Sequence, residues 1–274
     1  MLEPGVVWSY RTMGLPSGIP RVNVVEVDPH AARVAAVESD AAPNGYEQVA
    51  SMARRTGAQV AINGGFFDND GNPPPFAFVS MLKRSGVLVA PNPTPRPALG
   101  VGAPNAPRFA FALEPVGTGT PDPLAAYPDA IGAGPFFVNP VAPRARVLSW
   151  SANPGGFDWV CSAHPRSAVW LLANGHVMFG AFDGGAPGAP NDDAGFWLDT
   201  PTSPLCNGSS PNGWNGMSLG QFILANFPTT VQAMNLDGGG STTFVVRGQV
   251  VNQQTNGAAP RAVIDGLLVF PLTR

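Results

Sequence analysis

Three apolar runs in this chain carry or run into glycines, and that arrangement limits what the chain can become. "AQVAI" (58–62) runs into "NGGFFD", "AIGAGPFFV" (130–138) carries its glycines inside, and "TVQAMNLD" (230–237) runs into "GGGSTT". Short apolar runs bounded by turn residues read as buried strands. Glycine contributes no side chain to strand packing and loses the most backbone entropy on folding. These positions therefore mark places where the chain leaves a sheet and turns sharply, with backbone N–H groups that no Cβ obstructs. Successive amides of that kind form an anion-binding concavity.

The remaining segments supply a scaffold. "RVNVVEVDPHAARVAAVES" (21–39) reads as two β-rich runs around an Asp28-Pro29 turn. In "NGYEQVASMARRTG" (44–57), Asn44 and Glu47 form a capping-box signature. Val49, Met52, Ala53 and Thr56 follow at helical spacing, and Gly57 supplies the stop. "SAVWLLANGHVMFGAFDG" (167–184) predicts a hairpin turning at Asn174-Gly175, and "STTFVVRGQVVN" (241–252) another at Arg247-Gly248. "MSLGQFILANFP" (217–228) predicts a second helix, capped by Ser218 and Gln221 and ended by Pro228; "AVIDGLLVF" (262–270) is a closing strand. Prolines interrupt short strand-like pieces such as "GVLVA" and "RFAFAL" between about 72 and 130, and 33 Gly with 31 Pro imply many turns. With 274 residues, 44% of them hydrophobic, the chain can fill a sizeable core. No repeat or clear linker divides it. The expectation is an α+β single domain with a mixed β-sheet core, a few flanking helices and long Pro/Gly-rich loops. Residues 1–44 form a β-rich segment packed on a main domain of residues 45–274.

Charge is sparse, at 12% with a net of −3, and Lys83 is the one lysine among 15 basic residues. No basic stripe is visible, which argues against nucleic acid as a partner. No apolar stretch reaches the roughly 20 residues of a membrane span. The opening "MLEPGVVWSY" shows no signal-peptide pattern. Cys161 and Cys206 are too few and too far apart for a zinc knuckle; one disulfide and two buried thiols both stay open.

Alternation along "TVQAMNLD" puts Asp237 at a strand end, immediately before Gly238, Gly239 and Gly240, with Ser241, Thr242 and Thr243 adding hydroxyls. A carboxylate then stands beside a cradle suited to phosphate oxygens. This is neither a P-loop nor a dinucleotide fingerprint, since no GK[ST] follows and no helix opens in G-x-G-x-x-G. Asn63, Gly64 and Gly65, with Asp68 beyond, repeat the design, and Gly134 marks the third strand exit. Together they read as the walls of one pocket for a small, oxygen-rich ligand. Arg166 follows Pro165 into a strand, so its fork can meet a phosphate bidentately. His164 is a candidate acid or base near neutral pH, and Asp183 a site carboxylate or a turn former. "DNDGN" (68–72) is a polar turn without the glutamate that completes a calcium loop; a divalent cation such as calcium, held by Asp68, Asp183 or Asp237, stays open but is not required.

These segments, in this order, resemble the phosphodiester glycosidase family. The matching pieces are "AINGGFFD" (61–68), "AIGAGPFFV" (130–138), "HPRSAVWLLANGHVMFGAFDG" (164–184), "GMSLGQFILANF" (216–227), "NLDGGGSTTFVVRGQVVN" (235–252) and "RAVIDGLLVF" (261–270). The resemblance covers roughly residues 45 to 272, which makes 45–274 the expected catalytic domain. Residues 142–163 and 191–214 depart from it, and Trp150, Trp159, Trp197 and Trp214 fall in or beside those stretches, where substrate-selecting loops and sugar-stacking faces are expected. The resemblance implies a hydrolase that cleaves a sugar-1-phosphodiester into a free sugar and a phosphomonoester. Carbon–oxygen cleavage wants carboxylates and phosphorus–oxygen cleavage wants cations, so scarce cations and several Asp favour the former. Asp237 is then the essential carboxylate, Arg166 and the amides of Gly238, Gly239 and Gly240 hold the phosphate, and Asn63 and Gly64 fix sugar or phosphate. Asp183 or His164 is the second proton handler. The rivals are a glycoside hydrolase acting on non-phosphorylated polysaccharide and a carbohydrate-binding module without chemistry. Low lysine with abundant Ala, Pro, Gly and Arg suits a GC-rich bacterial genome, hence an exopolysaccharide or cell-surface substrate and a secreted or cell-envelope location.

Overall fold

The short apolar runs become strands because each is too short to make a stable helix, and each is rich in residues that pack on a pleated surface. The computed structural model describes residues 2, 4–12, 21–40, 45–68, 78–91, 96–103, 105–106, 108–114, 122–138, 145–148, 165–183, 216–253 and 259–272. Among them the order begins β1 (Val6–Thr12), β2 (Arg21–Val27), β3 (Ala32–Glu38), α1 (Val49–Thr56) and β4 (Val60–Asn63). β5 (Leu82–Arg84), β6 (Val87–Ala90), β7 (Arg96–Val101), β8 (Phe109–Glu114), β9 (Asp129–Gly132), β10 (Phe136–Val138) and β11 (Ala145–Leu148) follow. Then come β12 (Arg166–Leu172), β13 (Val177–Phe182), α2 (Gly216–Asn226), β14 (Thr230–Asn235), β15 (Phe244–Val246), β16 (Gln249–Val250) and β17 (Asp265–Pro271).

These strands build three sheets rather than one. A seven-stranded sheet runs β1-β2-β13-β12-β14-β10-β11, a five-stranded sheet β16-β15-β4-β17-β3, and a second five-stranded sheet β6-β5-β9-β7-β8. Every pairing among the described strands is antiparallel, so the expected mixed sheet is not what forms. A parallel pair needs a long crossover, usually helical, whereas tight turns such as those at Asn174-Gly175 and Arg247-Gly248 return the chain antiparallel. Gly175 (φ +86°), Arg247 (φ +50°) and Gly248 (φ +75°) take the left-handed backbone those two hairpins require. The fold is mostly β, with α1 and α2 as the two described helices.

The main core lies where the sheets face each other. Val25, Val169, Phe179 and Met234 of the large sheet meet Val34, Ile62, Phe244 and Leu267 of one smaller sheet and Leu82, Leu99 and Ile131 of the other. α2 covers the outer face of the large sheet through Leu219, Phe222 and Ile223 against Trp170 and Phe182. α1 covers the β4–β17 sheet through Val49, Met52 and Ala53. β2 hydrogen-bonds β13 and β3 hydrogen-bonds β17, so the first 44 residues lend strands to two sheets.

Two helix starts differ from the sequence reading. α1 begins at Val49 after Gln48, and Glu47 pairs instead with Arg55 at 2.7 Å and with the Asp40 N–H at 3.0 Å. A nearby guanidinium outcompeted the capping role, since charge-assisted bonds are the stronger ones. Asn44 lies outside the described residues. α2 begins at Gly216, which puts Ser218 inside the first turn rather than at the cap. Gly57 (φ +75°) ends α1 as expected. "AIGAGPFFV" splits at its glycines into β9 and β10, which belong to different sheets; the glycine break is where the chain changes sheet.

Candidate active site

The three glycine turns meet at one place. The Asp237 N–H donates to the Gly64 carbonyl at 2.9 Å, and the Gly134 N–H donates to the Asn235 carbonyl at 2.8 Å. A Cβ added at Gly65 would fall 2.4 Å from the Gly132 carbonyl oxygen. That neighbour is backbone and cannot step aside, so position 65 admits only glycine. Asn63, fully buried, ties the assembly. Its Oδ1 accepts from the Ser167 hydroxyl (2.6 Å) and the Thr243 N–H (3.1 Å), and its Nδ2 donates to the Asp237 carbonyl (2.7 Å). Asn63, expected to touch the ligand, has both ends of its amide engaged by the protein and holds the Asp237 backbone, as buried amides must find internal partners.

β12 and β14 set the charged groups side by side. Their register pairs Ala168 with Asn235, and the Leu236 N–H donates to the Ser167 carbonyl at 2.9 Å, which brings Asp237 level with Arg166. On its other side Arg166 pairs with Phe182, the residue before Asp183. Asp183, Arg166 and Asp237 thus share one end of three adjacent central strands. Asp183 and Arg166 are buried, at 0% and 3% exposure. His164, Cys161, Cys206 and Trp150, Trp159, Trp197 and Trp214 lie outside the described residues.

Asp237 keeps some accessible surface but sits deep. Its Oδ1 accepts from the Gly238 N–H at 2.9 Å, and Ser241 hydrogen-bonds the same carboxylate. Arg261 donates from Nη1 to the Ser241 hydroxyl at 3.3 Å, forming a relay from guanidinium to hydroxyl to carboxylate. A Cβ on Gly240 would stand 2.6 Å from Arg261 Nη2, and one on Gly238 would stand 3.7 Å from Arg166 Nη1. The glycine at position 240 therefore makes room for Arg261, while the one at 238 clears the Pro165 carbonyl oxygen, which would stand 2.8 Å from a Cβ there. Burial pushes the Asp237 carboxyl up to about 6, against the opposing pull of Ser241, the Gly238 amide, Arg261 and Arg166.

Two of the three glycine amides do not face outward as expected. Gly238 N–H serves Asp237 itself, Gly239 N–H donates to the Pro165 carbonyl at 2.8 Å, and a tight 3₁₀ turn closes over Gly239–Ser241. At Gly238 the amide expected to meet a phosphate serves the Asp237 carboxylate instead, because that charge is the nearest acceptor. Ser241 and Thr242, expected to offer hydroxyls to a ligand, are 0% and 2% exposed, and the Thr242 hydroxyl is sealed inside.

Two functional candidates escaped the sequence reading: Arg261 and Asp265. Asp265 opens β17 and is 1% exposed. Its Oδ1 accepts from the Gly65 N–H at 2.8 Å, and its carbonyl accepts from the Gly64 N–H at 3.1 Å. Burial raises its carboxyl to about 7; the Asp237 and Glu38 charges push the same way and the Gly65 amide opposes them. The signal was an acid inside the otherwise apolar "AVIDGLLVF", with an arginine four residues upstream.

Among the described residues no three His, Cys, Asp or Glu side chains gather to hold a metal ion, and no helix is long and apolar enough to cross a membrane. Residues 69–72 of the polar turn lie outside the described residues.

Residues 204–270 match the family model for phosphodiester glycosidase, which spans β14 to β17 and the Asp237 turn. The resemblance of this chain to that family is thereby shown. No curated protein matches the chain. The fold is similar to that of the catalytic domain of zebrafish N-acetylglucosamine-1-phosphodiester alpha-N-acetylglucosaminidase, solved in a form auto-inhibited by its pro-peptide. That likeness has a TM-score of 0.71 and 18% identity, covering 97% of this chain and 84% of that one. It is also similar to a hypothetical protein from Synechocystis, with a TM-score of 0.70 and 16% identity over 98% of this chain. This chain spans 62% of the length of the Synechocystis protein.

Proposed function

We propose that the chain hydrolyses a sugar-1-phosphodiester at the anomeric carbon–oxygen bond, with Asp237 as the essential carboxylate. The observation that carries this is a carboxylate held at a strand exit between two arginines, Arg261 and Arg166, each packed against a glycine of the same turn. The family match and the zebrafish neighbour, which by its name acts on an N-acetylglucosamine-1-phosphodiester, support the substrate class. In this reading the guanidinium groups hold the phosphate oxygens. Asp237 attacks the anomeric carbon, or takes the proton from the water that does. A bond forms at that carbon, the carbon–oxygen bond to phosphate breaks, and its electron pair leaves with the phosphomonoester; where Asp237 is the attacking group, water then adds to the same carbon and breaks the bond to Asp237, freeing the sugar and the carboxylate. Such a leaving group has a second pKa of about 6, so it departs near neutral pH with little help from an acid. That suits a site where the second carboxylates, Asp183 and Asp265, are buried.

The substrate class proposed is a bacterial cell-surface or exopolysaccharide phosphodiester, met in the envelope or outside the cell, and the low lysine content supports it. The test is turnover of UDP-N-acetylglucosamine in heavy-oxygen water, with products weighed by mass spectrometry. Label in the sugar is expected. Label in the phosphate would sink the carbon–oxygen reading and move the weight to the arginines. Turnover of neutral glycosides that survives Arg261→Ala and Arg166→Ala would favour the polysaccharide hydrolase instead.

A further inference from the structure

Asp265 is a buried carboxyl that the reaction above does not use. It is tied to Asp237 through one residue: Gly64 donates its N–H to the Asp265 carbonyl and accepts the Asp237 N–H on its own carbonyl. Asp265 Oδ1 holds the Gly65 amide, while Oδ2 is buried and has no hydrogen-bond partner among the described residues. An ionised oxygen without a donor is among the costliest things a protein interior can hold; a neutral acid costs far less. The charged neighbours point the same way. Glu38 stands directly opposite on β3, and like charges so placed repel. Arg84 on β5 stands 3.8 Å from the Glu38 carboxylate and Arg55 donates to the Glu38 carbonyl at 3.0 Å, while Arg261 and Arg166 serve the Asp237 side. Asp237 itself is the other acid acting on Asp265, whose carboxyl lies up at about 7 against about 6 for Asp237.

We propose that Asp265 is a positioning residue that carries the proton of a carboxyl pair formed with Asp237, and that losing this proton closes the alkaline side of the site's activity. While Asp265 is neutral it anchors the Gly64–Gly65 turn and leaves Asp237 as the single negative charge between the arginines. Once Asp265 ionises, a second charge is buried close enough to act on Asp237, with only the Gly65 amide to offset it. The two carboxyls therefore titrate as a unit. The activity half of this inference rests on the proposed function; the stability half does not.

The experiment compares the wild type, Asp265→Asn and Asp265→Leu from pH 5 to pH 8. Asparagine keeps an acceptor for the Gly65 amide and cannot ionise; leucine removes both. The melting temperature of Asp265→Asn is expected to gain on the wild type by about 5–10 °C across that range. A gap independent of pH overturns the proposal. On UDP-N-acetylglucosamine, wild-type kcat/KM is expected to fall about tenfold per pH unit above the Asp265 transition. Asp265→Asn is expected to lose that limb, and Asp265→Leu to lower kcat at every pH. An alkaline limb unchanged in Asp265→Asn overturns the proposal as well. If this substrate is not turned over, the proposed function fails for it and the melting temperatures decide alone. If Asp265→Asn does not fold, the carboxyl carbon of Asp265 is titrated by NMR in the wild type. A midpoint near neutrality is expected, and one at or below about 4 overturns the proposal.

Discussion

At the scale of single residues, the turn 237–241 shows how a glycine can be required by a neighbour rather than by its own backbone. Gly240→Ala would press on the far end of the Arg261 side chain, which can swing away, whereas Gly65→Ala would press on the Gly132 carbonyl, which cannot. Gly240→Ala is therefore expected to melt within a degree or two of the wild type yet lose affinity for the phosphodiester like Arg261→Ala, a rise in KM of about 10- to 100-fold for a lost charged hydrogen bond. Gly65→Ala is expected to lower the melting temperature outright. Thermal melts beside KM measurements separate the two, and a Gly240→Ala enzyme with wild-type KM would remove Arg261 from the binding role. Asp237→Asn is expected to cut kcat by about 10²- to 10⁴-fold. Since the Asp237 carboxyl lies at about 6, kcat/KM should rise with pH through that value as the reactive anion forms. Its raised value also has a stability sign: burial of the anion costs more than burial of the acid, so stability is highest below the ordinary carboxylate range and declines as pH climbs through about 6.

At the scale of elements, the site is a meeting of strand ends, and Asn63 is the joint. Its amide bonds the start of β12 through Ser167, the approach to β15 through Thr243 and the exit of β14 through Asp237. Asn63→Ala leaves those buried partners unsatisfied, at about 1–3 kcal/mol for each group so stranded. A drop in melting temperature on the order of 5–10 °C is expected, together with a lower kcat, because Asp237 loses its anchor. A variant with unchanged kcat would show that Asp237 is placed by the Gly64 carbonyl alone. Most of the strands, the two hairpin turns at Asn174-Gly175 and Arg247-Gly248, and both helices were legible in the sequence, since each is coded by neighbours a few residues apart; β1, β5, β7 and β11 were not read from it. The helix starts were less so: Glu47 looked like a capping residue until Arg55, eight positions on, gave it a stronger partner.

At the scale of the whole molecule, the first 44 residues are woven into the core. β2 lends Val22 and Val24 to the packing under α2 and Val25 and Val27 to the central core. A chain beginning at residue 45 would leave β13 and β17 as open edges over exposed apolar faces, so it is expected to be insoluble or to show no cooperative melt. A soluble, cooperatively folded chain of residues 45–274 would make the N-terminal strands an accessory after all. The sequence by itself determined much of the local vocabulary: most of the runs that are strands, where glycines end them, and that Asp237 stands at one such end while Arg166 opens another strand. Periodicity and turn chemistry act over a few residues, so they survive without a fold. Only the tertiary structure decided that the sheets number three, that the Gly238 amide turns onto the Asp237 carboxylate and the Gly239 amide onto the Pro165 carbonyl, and that Arg261 and Asp265 join the site. Those outcomes depend on contacts between residues as far apart as Gly65 and Asp265, 200 positions along the chain. Close packing chooses among such contacts, and no short stretch of sequence records the choice.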